Sequence, residues 1–188
     1  MDPRSGVIGE NHANILLTLG RYADARERCQ RVLAFAPTFA GCLQNSSLAA
    51  MLLGDLAAAR SMVERLAEVR NPSAGAQGRE LTEALAGRTD RHDLARRMAA
   101  LSYNSNIDPS SGNALEDQVI AAALMMLGEH QLALDYMERM VGNLGNNMDI
   151  AIMLPVMDPI RCEPRFTALV RKLKTSDPYF VKVCTGKP

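Results

Sequence analysis

Tryptophan is absent from this chain of 188 residues, and all aromatics together make up only 4% of it. Apolar residues still reach 47%, enough for a continuous core. That core must be built from Ala, Leu, Met and Val, which is a helical composition. Excess charge is missing as well: 21 Lys plus Arg balance 21 Asp plus Glu. A nucleic-acid-binding domain usually carries a basic surplus, so zero net charge argues against that class and gives no reason to expect a membrane-surface role. No apolar run approaches the roughly 18 residues of a spanning helix. Met1-Asp2-Pro3-Arg4-Ser5 shows no charged segment followed by an apolar one, so no leader is expected. Cysteine is sparse and scattered: Cys29, Cys42, Cys162 and Cys184 form no CxxC pair. That spacing weakens zinc and thioredoxin-type readings. Cys29 and Cys42 fall in helical segments and read as small core thiols. The expected location is cytoplasmic. Asn45-Ser46-Ser47 has the form of a glycosylation site but lies within a predicted helix.

The signatures of catalysis are missing too. There is no GxSxG, P-loop, HExxH or GxGxxG. His12, His92 and His130 share no ligand spacing and read as structural. The expectation is a protein that is not an enzyme and uses no cofactor and no metal.

What the chain does contain is a period. Leu19-Gly20-Arg21-Tyr22-Ala23-Asp24-Ala25 answers to Leu53-Gly54-Asp55-Leu56-Ala57-Ala58-Ala59, 34 residues later. A period of this length marks an array of helical hairpins. The first hairpin spans about 7–35. Ala13, Leu16, Leu17 and Leu19 give its first helix a stripe, Gly20 ends that helix, and Pro37 stops the second. The second hairpin spans about 40–69 and turns at Gly54. A third, at 79–103, is degenerate: Arg79–Ala86 reads as a short helix, with a longer turn at Gly87-Arg88-Thr89-Asp90. The polar loop 104–113 follows it. The fourth, at 114–141, restores the pattern with Leu127-Gly128 and Ala133. Small residues at Ala25, Ala59 and Ala133 would let paired helices approach closely. An atypical cap covers 148–174, and 175–188 reads as a tail. The fold class expected is all-α, a superhelix of about ten antiparallel helices in a single domain, 1–188.

These residues resemble the tetratricopeptide repeat (TPR) family. Leu19 to Ala25 with Pro37, Leu53 to Ala59, and Leu127-Gly128 with Ala133 carry the resemblance over about two thirds of the chain. The closing Asp158-Pro159-Ile160-Arg161 and Pro164-Arg165-Phe166 are similar to the ends of bacterial multidomain proteins. In those, such repeats follow a winged-helix, adenylate cyclase or kinase domain. Asp2-Pro3 falls one period before Ala36-Pro37, so the array is expected to continue a longer one. The resemblance implies a non-catalytic module that binds a peptide or partner domain on a concave face made of first helices. The residues expected on that face are Glu10, Asn14, Leu17, Thr18, Gln44, Asn45, Leu48, Met51, Gln118, Ala122 and Met125. Asn14 and Asn45 match asparagines that clamp a peptide carboxylate in some members; Glu10 replaces an expected lysine and would repel one. A mixed amide and methionine surface suits a helix or loop partner, although methionine at helical spacing is usually core. The expected role is the sensory or interaction part of a transcriptional regulator. The alternatives are the regulatory tail of a cyclase or kinase, or a freestanding assembly factor. An end repeat without a neighbour would also expose apolar surface suited to self-association. The basic clusters Arg88, Arg91, Arg96, Arg97 and Arg161, Arg165, Arg171, Lys172, Lys174 read as solvated faces.

Overall fold

The computed structural model describes residues 5–69, 72–100, 117–143 and 148–173. These are all helical, and no strand occurs among them. The helices are α1 (Gly6–Thr18), α2 (Tyr22–Phe35), α3 (Ala40–Leu52), α4 (Leu56–Val69), α5 (Pro72–Leu85), α6 (Arg91–Ala100), α7 (Asp117–Met126), α8 (His130–Asn143), α9 (Met148–Met153) and α10 (Pro164–Lys172). A 3-10 helix, Pro155–Ile160, lies between α9 and α10. From α1 to α8, each helix packs against the one that follows it. The polar loop 104–113 and the tail 175–188 fall outside the described residues.

One local device ends α1, α3, α5 and α7. Gly20, Gly54, Gly87 and Gly128 all take positive φ. In the first, the Gly20 N–H donates to the Leu17 carbonyl (3.0 Å) and the Arg21 N–H to the Leu16 carbonyl (2.8 Å). The other three repeat both bonds, so each helix end satisfies its orphan carbonyls within a single reversing turn. The third turn is built like the others. Its extra length lies after the glycine, where Asp90 caps α6 by accepting from the N–H groups of His92 (2.9 Å) and Asp93 (3.2 Å).

The third hairpin differs most from expectation. Its first helix starts at Pro72 rather than near Arg79, and runs the full 14 residues to Leu85. Pro72 suits a first helical position because its missing N–H would be unbonded there in any case. Gly75 and Gly78 suggest a loop in the sequence, yet they serve contact. A Cβ on Gly78 would strike the Val63 side chain, and one on Gly75 would strike Ala67. Bare backbone on α5 therefore lets it lie close against α4.

Ala25, Ala59 and Ala133 are fully buried, as are Cys29 and Cys42, which are free thiols. Leu19 and Leu53, placed in the apolar stripes by spacing, are instead exposed. Each is the last residue before a reversing glycine, one position past the end of its helix. The second basic cluster is also not uniformly solvated. Arg161 is only 7% exposed; its guanidinium pairs with Asp158 (2.8 Å) and donates to the carbonyls of Ile152 (3.3 Å) and Leu154 (3.2 Å). Arg165 joins α10 to α8 through Glu138 (2.8 Å), Asp135 (2.6 Å) and Gln131 (3.0 Å).

Among the described residues, three carboxylates are held below their usual range. Asp55 bonds the Ala58 N–H and then the Arg26 guanidinium; Asp90 bonds the N–H groups of Asp93 and His92; Glu138 is held by Arg165. Depressed folded-state values mean that their contribution is present above the ordinary carboxylate value and disappears as pH falls through the folded ones. Thermal stability should therefore be level near neutrality and decline below about pH 4. Asp90→Asn should lower the melting temperature at pH 7, with the gap closing in acid. Melts followed by circular dichroism across pH would show a constant gap if this capping charge contributes nothing.

Candidate partner-binding surface

The first helices of the hairpins, α1, α3, α5 and α7, were expected to present one open face. The structure divides the residues assigned to it. Glu10, Asn14 and Thr18 on α1 are half-buried. Leu17, Gln44, Asn45, Leu48, Met51, Ala122 and Met125 are buried, so they differ from the open groove expected of them. Gln118 lies in α7, but its side chain falls outside the described residues.

The cause is enclosure. Every residue of α3 from Gly41 to Met51 is buried, and so is every residue of α7 from Val119 to Met125. α3 is held between α1, α2 and α4. α7 meets α6, α8, α9 and the 3-10 helix, and α9 also packs on α1. The segment after α8 thus returns across the first-helix side and bridges the first and fourth hairpins. Pro155 stands within 3.3 Å of where a side chain on Gly20 would be. The Tyr22 phenol is pushed up by burial and then by the nearby Asp158 carboxylate, which places the 3-10 helix beside the start of α2. A signal for this enclosure is present in the sequence. α3 contains no charged residue on any face, and α7 none after Asp117. A helix without a polar stripe is a buried helix.

Between the first three helices sits a small polar core. The Asn45 amide donates to the Asn14 Oδ1 at 2.8 Å, so the two asparagines singled out by sequence do meet, but they bond each other. The Glu10 carboxylate lies over Gly41, in space that a side chain there would need. A hydrogen bond with Cys42, reinforced by burial, pushes the Cys29 thiol far up, so it is an inert core thiol at neutral pH.

On this side the described residues form an open cleft of about 470 Å³ at the carboxyl ends of α3, α5 and α7. Met51, Leu52, Leu56, Leu85, Met126 and Val156 line it, with Gly54 in its wall. Leu52, Leu85 and Met126 each stand two residues before a reversing glycine. The repeat therefore delivers three apolar side chains to one place, and the fourth equivalent is Thr18. Sequence reading took Met51 but missed Leu52, Leu85 and Met126. Their common offset from the glycines was the available signal. Val156 carried none, because it reaches the cleft only through the return of the chain.

Among the described residues, no three His, Cys, Asp or Glu side chains are grouped as metal ligands would be. No helix among them is long and apolar enough to cross a membrane. Comparison with family models, with curated proteins and with solved structures finds no match for this chain.

Proposed function

We propose that this chain is a TPR-type solenoid that serves as a non-catalytic protein-interaction module, the sensory or regulatory part of a bacterial transcriptional regulator. The observation that carries the interaction reading is the apolar cleft at the shared end of α3, α5 and α7. Methionine and leucine make an adaptable surface there, able to take an apolar side chain from a helix or loop without a fixed polar register. Three reversing turns of one design, at Gly54, Gly87 and Gly128, hold Leu52, Leu85 and Met126 at hydrogen-bonded helix ends, so little ordering is needed when a partner arrives. The half-buried Glu10, Asn14 and Thr18 on α1 extend this side toward the first hairpin. Partner recognition by the fully buried Gln44 and Asn45 has no place in this reading.

The test is co-purification of partners from the native host, followed by reconstitution with whichever partner is recovered. Leu52→Asp and Met126→Asp are half-exposed changes that place a charge in the cleft. Each should weaken partner binding by about tenfold or more, since a desolvated charge has no counter-ion there. Circular dichroism should stay unchanged. A partner retained at full affinity by both variants would refute the cleft.

A further inference from the structure

A second surface lies on the far side of the first hairpin, away from α3. Ile8, Ile15 and Leu19 recur at helical spacing along α1 and stand open; Ile15 and Leu19 are 58% and 64% exposed. His12 sits in the same row and is exposed. On α2, Asp24, Arg28, Arg31 and Phe35, with Arg21 just before the helix, form the facing row by the same spacing, and Phe35 is 46% exposed. Between the rows is a depression of about 370 Å³, with His12 and Leu16 on one wall and the α2 charges on the other.

The charges of this depression do not cancel. Arg21 pairs with Asp24 at 2.6 Å, and Arg31 pairs with Glu27. Arg28 is left over. Its guanidinium lies along α1 at Gly9, 3.7 Å from where a side chain would stand. Its Nε is buried with no hydrogen-bond partner. A desolvated guanidinium nitrogen without an acceptor is costly, and a carboxylate is the group that fits it. Among the described residues, exposed apolar side chains therefore flank one cation, Arg28, whose Nε has no acceptor.

We propose that this face of the first hairpin docks an amphipathic helix of a partner protein, one that carries a carboxylate between its apolar residues. The apolar side chains cover Ile15 and Leu19, and the carboxylate meets Arg28. The charge balance sets this occupant apart from a second copy of the chain. Two such faces brought together would oppose one surplus cation to another. The surface is separate from the cleft of the proposed function and stands or falls independently of it.

The probe is a labelled amphipathic helical peptide with leucines along one face and a glutamate midway, beside a matched peptide with lysine in that place. Both are titrated against the 188-residue chain by fluorescence anisotropy. The glutamate peptide should bind about tenfold more tightly than the lysine peptide. Arg28→Ala should bring the ratio near one, and Arg28→Glu should invert it, while Leu19→Ser should weaken both. Equal binding of the two peptides, no binding of either, or a ratio unchanged by Arg28→Glu would overturn the proposal. Sedimentation of the chain alone supplies a further check. A dimer abolished by Leu19→Glu would assign the face to a second copy and overturn the acidic partner.

Discussion

Arg161→Ala is expected to destabilise the protein by about 3 kcal/mol, more than removal of any exposed charge among the described residues. The magnitude follows from position. The guanidinium is almost fully buried, and its fork reaches the Asp158 carboxylate and the carbonyls of Ile152 and Leu154 at once. It thereby fastens the end of α9 to the 3-10 helix. Its removal leaves the buried carbonyls of Ile152 and Leu154 short of a donor. Arg161→Lys should rescue little, because an ammonium cannot present several donors in one plane. Denaturant unfolding gives the stability change. Hydrogen exchange gives its location: α1 and α7 should exchange faster, since α9 packs on both. A loss below about 1 kcal/mol, the level of an exposed pair, would mean that Arg161 does not hold this segment.

Gly78→Val should cost a similar amount, about 3 kcal/mol, against the direction that helix propensity alone would give. Glycine inside a helix normally weakens it by up to about 1 kcal/mol relative to alanine, so adding a side chain should help. Here the new Cβ would meet both methyls of Val63, one of them at 2.7 Å, and the Val63 Cβ at 3.1 Å. Val63 is fully buried and β-branched, so it has no rotamer into which to retreat. Overpacking outweighs propensity, and α5 must move off α4. Even Gly78→Ala should be destabilising, whereas Ala76→Val on the exposed face of α5 should be near neutral. Equal melting temperatures for Gly78→Val and Ala76→Val would contradict the close approach.

The same contact shows where local reading stops. Gly75 and Gly78 look like loop formers in the sequence because nothing local distinguishes a glycine needed for its freedom from one needed for its smallness. Gly20, Gly54 and Gly128 were legible because a 34-residue period and a preceding leucine frame two of them, and the leucine recurs at the third. The period and the apolar spacing also gave the helical hairpins and most of their boundaries. They gave the small buried positions Ala25, Ala59 and Ala133 as well. All of these depend on contacts made within one hairpin or between neighbours in the chain.

The candidate surface depends on contacts made across the whole chain, and there the sequence led elsewhere. Helical periodicity assigned Gln44, Asn45, Leu48 and Met51 to an open face because one side of α3 must face away from α2 and α4. Periodicity could not say that this side would be enclosed, although the absence of charge on α3 could. α1 covers that side of α3, the return of α9 and the 3-10 helix brings them onto α7, with α9 also on α1, and a cleft stays open at the helix ends. That return is held by Arg161, by Pro155 beside Gly20, and by Asp158 near Tyr22, pairs separated by up to 136 positions. By itself, then, the sequence determined most of the helices and their reversing turns, α5 from Pro72 being the exception, since short-range periodicity and glycine chemistry suffice for those. Apart from the uncharged α3 and α7, whose burial their composition signals, tertiary structure decided which faces stay exposed, because exposure is settled by whichever distant segment arrives to cover them.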